Sequence, residues 1–144
     1  MKERIIRKAS MNDLDRVAEL EALCFPAAEA ASRESFEARL RVYPECFWLL
    51  MEGDRLLAFA MGSRLSADTM DIHFEKARED VDGAYAVINC EFARYLRQKY
   101  PWLQYLNREE DMGIEGLRKA KLAYCPDHMV EKWWACLLED GCDY

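Results

Sequence analysis

A chain of 144 residues and 16.9 kDa is long enough for one full hydrophobic core and too short for two comfortable ones. With 51% hydrophobic and 33% charged residues, the composition excludes a disordered or fibrous polymer, and no apolar run reaches the length of a bilayer span. The formal charge of -7 disfavours non-specific attraction to nucleic acid or to an anionic membrane. A single domain over residues 1–144 is expected. It is expected to be cytoplasmic, because MKERIIRKAS lacks the apolar core of a signal peptide. The six cysteines (Cys24, Cys46, Cys90, Cys125, Cys136, Cys142) form no CxxC pair, so they read as small core residues and no metal site is expected.

In chain order, Arg4 to Ala9 reads as a short strand, and Ser10 with Asp13 as a capping box opening a helix from Asn12 to about Leu23. Pro26 closes that helix. Ser32 caps a second helix whose Phe36 and Leu40 share a stripe, ending near Tyr43-Pro44. Cys46 to Met51 and Arg55 to Gly62 are two strands joined by Glu52-Gly53-Asp54, an antiparallel hairpin near the sheet centre. Thr69 to Ala77 alternates, with Met70, Ile72 and Phe74 on one side and Asp71, His73 and Glu75 on the other.

After Asp82-Gly83, a helix from Ala84 to about Lys99 carries Tyr85, Ile88, Phe92 and Leu96 on one stripe. Trp102 to Leu106 follows as a strand, Ile114 to about Ala123 as a helix, and Met129 to Leu138 as a final strand. Trp48, Trp102, Trp133 and Trp134 are assigned to core or interface; the last two must face opposite sides of a strand, which leaves one for a homodimer contact. The order implies a mixed α/β sheet, antiparallel in the middle and parallel across the later crossover.

This order is also that of the GNAT acyltransferase fold, and two stretches carry resemblances within it. Arg4 to Gly62, with RKAS, ALCFPAAEAAS and YPECFWLL, resembles bacterial GNAT proteins related to serotonin N-acetyltransferase. IHFEKA at Ile72 to Ala77, GAYAVINCEF at Gly83 to Phe92, and LNREEDMGIEGLRKAKLAYCP at Leu106 to Pro126 resemble the C-terminal domain of the phosphatidylglycerol lysyltransferase-like family. The resemblances imply one GNAT-type domain that transfers an acyl group, acetyl or another, from an activated donor to a small-molecule amine or peptide.

Two donors stay open. One is acetyl-CoA or another acyl-CoA, held at the turn where Gly83, Ala84 and Tyr85 open a helix; that turn has one glycine and three nearby acids (Glu79, Asp80, Asp82), unlike the usual pyrophosphate loop. The other is a charged tRNA, implied by the second resemblance and opposed by the net charge. A non-catalytic binding module is the third reading.

Acyl transfer to an amine needs a base for the ammonium proton. Glu75 is the first candidate and His73 the second, both on the polar face of their strand, against a reading in which they simply alternate in and out of a sheet. Tyr124 is weighed as the acid for a departing thiolate and against a core role. Asn107 and Arg108 end a strand where open sheets bind ligands. Arg118 and Lys121 share a helical face that could clamp an anion or balance Glu109, Glu110, Asp111 and Glu115. Glu109 and Asp111 are alternatively helix caps.

Overall fold

The hairpin residues and the alternating strand form the middle of the sheet. In the computed structural model, which describes residues 3–133 and 135, the elements run β1 (Arg4–Lys8), a 3-10 turn (Met11–Asp13), α1 (Leu14–Cys24), α2 (Arg33–Val42), a second 3-10 turn (Pro44–Cys46), β2 (Phe47–Glu52), β3 (Arg55–Arg64), β4 (Thr69–Ala77), α3 (Ala84–Lys99), β5 (Tyr105–Asn107) and α4 (Glu115–Leu122). The sheet order follows the chain, β1-β2-β3-β4-β5. Among the described strands only β4 and β5 pair in parallel, because α3 lies between them as a crossover. The fold is the α/β GNAT-type fold expected. Two compact units divide the chain, Met1–Glu109 and Glu110–Tyr144. No described helix is long and apolar enough to cross a membrane.

In the first unit, side chains of alternate hand fill two layers. Val17, Leu20, Phe36 and Leu40 of α1 and α2 pack on Phe47, Leu49 and Phe59; Ile88, Phe92 and Leu96 of α3 pack on Trp48, Leu50, Met70 and Ile72. Each such burial contributes about 1.5 to 3 kcal/mol. Phe59 is held edge-on between Phe36 at 5.7 Å and Phe74 at 5.8 Å. Ser32 caps α2 as expected, its hydroxyl accepting from the Ser35 amide. Ser10 donates its amide to Asp13 Oδ2, and the same carboxylate takes two bonds from the Arg7 guanidinium. Those Arg7 bonds, foremost among the causes, hold the Asp13 carboxyl at about 2.

Phe74 departs from the expected alternation. Across β3 and β4 the register runs Met61 to Phe74 and then Gly62 to Ile72, so His73 is an extra residue with no partner. This is a β-bulge, and beyond it the side chains exchange faces. Met70 and Ile72 enter the α3 layer, whereas Phe74 enters the α1/α2 layer. Gly62 permits the close approach: a Cβ there would lie 2.9 Å from the Asp71 carbonyl oxygen and 3.1 Å from Ile72.

Several boundaries shift for local reasons. Ala84, rather than the 43% exposed Tyr85, starts the buried stripe of α3. The strand expected from Trp102 shrinks to Tyr105–Asn107, since Leu103 donates to the Tyr100 carbonyl in a turn that keeps Trp102 against the Tyr100 ring and the Arg64 guanidinium. Residues 129–133 and 135 form no strand, and the rest of the expected 129–138 strand, Trp134 included, lies outside the described residues. Trp133 is 82% exposed. Cys24 and Cys46 are half-buried, Cys90 and Cys125 are exposed, and Cys136 and Cys142 lie outside the described residues, so the cysteines are not chiefly core.

Two stability outcomes follow. Because the folded Asp13 carboxyl sits at about 2 against an ordinary 3.8, its pairing contributes about 2 kcal/mol, present above about pH 4 and lost as pH falls toward 2. Asp13→Asn will remove that contribution at neutral pH and flatten the acid limb of urea unfolding measured between about pH 5 and pH 2. Gly62→Val will cost about 1 to 3 kcal/mol in the same assay, by forcing β3 away from β4 at the bulge.

Candidate functional site

The three parallel pairs between β4 and β5 are Thr69 with Tyr105, Met70 with Leu106, and Asp71 with Asn107. There the pairing stops while β4 continues to Ala77, and no described strand covers its edge from Ile72 onward. Residues at the carboxyl end of a parallel strand project into the space so left. Asn107, Arg108 and Glu109 all sit at this point.

One hydrogen-bonded chain crosses the opening. His73 Nδ1 lies 2.9 Å from Glu109 Oε1, and His73 Nε2 lies 2.8 Å from Ser63 Oγ. A carboxylate only accepts, so Nδ1 carries the hydrogen; in the neutral imidazole Nε2 is then the acceptor and the Ser63 hydroxyl the donor. Asp71 Oδ2 lies 3.7 Å from the same Nδ1. Asp71, His73 and Glu109 thus place one ligand-type atom each within 4.8 Å of one another, which makes them the described residues that could share a cation. Glu109 reaches this position with φ at +53°, a left-handed backbone costly for a residue with a side chain. The Asn107 side chain holds it there, its Oδ1 accepting from the Glu109 amide at 3.0 Å.

On the opposite face, Glu75 is part of a different arrangement. Its Oε2 accepts from Arg108 Nη1 at 2.8 Å and from Asn89 Nδ2 of α3 at 3.3 Å, while Arg108 Nη2 lies 3.5 Å from Oε1. The Glu75 carboxylate is 10% exposed. His73 and Glu75 therefore do not share a face; the bulge between them separates an imidazole facing the opening from a closed ion pair. Both oxygens of Glu75 face the Arg108 guanidinium.

Residues 27–136 match the family model described as phosphatidylglycerol lysyltransferase, C-terminal. The chain belongs to that family. The match spans the junction between the two resemblances read in the sequence. A conserved protein of unknown function from Bacteroides thetaiotaomicron VPI-5482 is 32% identical with a TM-score of 0.70, over 88% of this chain and 45% of that one. This chain therefore spans less than half of that relative's length. A possible acetyltransferase from Clostridium difficile 630 (12% identity, TM-score 0.68, 94% and 99% coverage) and the aminoglycoside N-acetyltransferase AAC(6')-Iy in complex with CoA (10%, 0.68, 96% and 97%) share the fold. No curated protein matches the sequence.

The remaining candidates of this lysyltransferase-family chain fall elsewhere. Gly83, with φ at +72°, is the N-cap of α3 with open space where a Cβ would go. Ala84 is buried in the core, so its side chain is closed to any ligand. Tyr85 packs beside Cys24 and the Ala77 carbonyl, and burial raises its hydroxyl above the usual range. One of the three acids of this turn is already matched, Asp80 pairing with Arg55 and Arg78.

Arg118, Lys121 and Tyr124 belong to the second unit. There Arg118 pairs with Asp111, Lys121 Nζ donates to the Glu110 carbonyl at 2.7 Å, and Tyr124 is 48% exposed rather than in a core. Asp111 accepts from the Gly113 amide ahead of α4, while Glu109 turns to His73 instead of capping that helix. Ser63 and Asn89 carried no signal of their own in the sequence. A glycine inside a strand, Gly62, marked the bulge that makes Ser63 matter.

Arg108→Ala will leave the Glu75 carboxylate buried without its counter-charge. Denaturant titration will show a loss of about 3 to 5 kcal/mol, most of it recovered when Glu75→Gln is added.

Proposed function

We propose that this chain transfers an acyl group from an activated donor, an acyl thioester such as acetyl-CoA, to the amine of a small molecule, with His73 as the base. The observation that carries the reading is the oriented imidazole at the edge of β4 that no described strand covers, with its Nδ1 hydrogen committed to Glu109 and its Nε2 accepting from the Ser63 hydroxyl. A base must be within hydrogen-bond reach of the proton it removes, and Glu109 with Asp71 stabilises the imidazolium that results. Support for the donor comes from a shared fold with an aminoglycoside N-acetyltransferase crystallised with CoA, and from Gly83 at the start of the 16-residue α3, where free amides and the helix dipole favour a pyrophosphate. The Asp80 pairing with Arg55 and Arg78 lowers the repulsion that the acids of this turn would exert.

A second reading, aminoacyl transfer from charged tRNA, has the family's own description in its favour. Donor and base are separate matters, since an aminoacyl ester also needs the acceptor amine deprotonated.

Calorimetric titration with acetyl-CoA is expected to give a saturable isotherm, and acetylation of a panel of small amines will follow by thiol release. His73→Gln will reduce kcat/KM by about 100-fold with acetyl-CoA binding intact, while Glu75→Gln will change it little beyond its effect on stability. Absence of binding at millimolar acetyl-CoA, together with a salt-sensitive gel shift by aminoacyl-tRNA, would transfer the proposal to the second donor.

A further inference from the structure

Resting on the acyl-transfer reading, we infer that Ser63 is a nucleophile and that the acyl group passes through an ester on its Oγ. A serine hydroxyl is weak by itself and becomes reactive when a base sits within hydrogen-bond reach and a third group orients that base. All three are present at those distances: Ser63 Oγ to His73 Nε2 at 2.8 Å, and His73 Nδ1 to Glu109 Oε1 at 2.9 Å. Backbone geometry places each of the three. Ser63 stands opposite Asp71 in the β3 and β4 register, His73 is the bulged residue that the ladder leaves unpaired, and Glu109 is held in a left-handed conformation by Asn107. Ser63 and His73 are half-buried and Glu109 is exposed.

The chemistry balances without a further reactant. Ser63 Oγ attacks the carbonyl carbon of the acyl thioester, and its proton moves to His73 Nε2 as the new C–O bond forms. The C–S bond breaks, and the departing sulfur takes that proton and leaves as the thiol. The neutral acceptor amine then attacks the Ser63 ester and gives a proton to Nε2. As the C–O bond breaks, Ser63 Oγ recovers its proton and the amide is released. The two carboxylates facing Nδ1, Glu109 and Asp71, stabilise the imidazolium at both stages.

The test uses the full chain and p-nitrophenyl acetate, a small activated ester that does not depend on the natural donor site. Rapid mixing is expected to give a burst of p-nitrophenolate stoichiometric with protein, and intact-mass and peptide spectra will place one acetyl group on Ser63. Ser63→Ala, with an unchanged circular dichroism spectrum and melting profile, will lose burst and adduct; His73→Gln will slow the burst by about 100-fold; Ser63→Cys will retain an adduct, as a thioester. An equal burst from Ser63→Ala, or an adduct at another residue, overturns the inference. So does wild-type acetyl transfer from acetyl-CoA that Ser63→Ala leaves undiminished, and in that case the acyl-transfer reading stands with direct attack by the amine. Acetylation of Ser63 by the ester without any binding of acetyl-CoA supports the nucleophile and removes only the thioester donor.

Discussion

Parallel pairing between β4 and β5 ends after three residues, and the functional anatomy of the first unit depends on that early stop. A longer β5 would consume the backbone groups along β4 in a ladder and cover its edge. Because β5 ends at Asn107, the residues just after it must be held by side chains rather than by strand hydrogen bonds. Asn107 holds Glu109, Glu75 holds Arg108, and His73 meets Glu109 from the neighbouring strand. Each link is polar and each spans the same gap.

The bulge gives that gap two unlike sides. On the α3 side, Glu75, Arg108 and Asn89 form a nearly closed set whose charges cancel. Breaking it exposes a buried charge, and for that reason it acts as a fastener between β4 and the end of β5. On the α1/α2 side Ser63, Glu109 and Asp71 gather around the His73 imidazole, whose Nδ1 faces both carboxylates. Next to His73 in the chain, Phe74 packs edge-on against Phe47 and Phe59. Phe74 joins them only because the face changes at His73.

The fold was readable because its signals were local. Ser32, Glu52-Gly53-Asp54 and the stripe Ile88, Phe92, Leu96 each specify an element through capping, turn chemistry or period, and each element appeared where these residues put it. The site was readable only as an address. Asn107 and Arg108 were placed at a strand end and stand there, and His73 and Glu75 lie on β4, the strand read for them. Their roles were not legible, since strict alternation puts His73 and Glu75 on one face and a single extra residue puts them on two. Register is a property of two strands, and a period-two pattern in one of them cannot reveal a slip against the other. Trp102 misled for a related reason: its aromatic neighbours looked like a strand, while the turn at Tyr100 to Leu103 and the Arg64 guanidinium claimed it.

His73 is the residue that the ladder between β3 and β4 skips, between Ile72 and Phe74. Removing it would bring Ile72 and Phe74 together in unbroken alternation opposite Gly62 and Met61, with every pair on either side already in register. The sheet would close up like a zipper freed of a snagged tooth. At most positions in a strand the ladder fixes which face a side chain takes; at the bulge the imidazole is placed by its bonds to Ser63 and Glu109 instead.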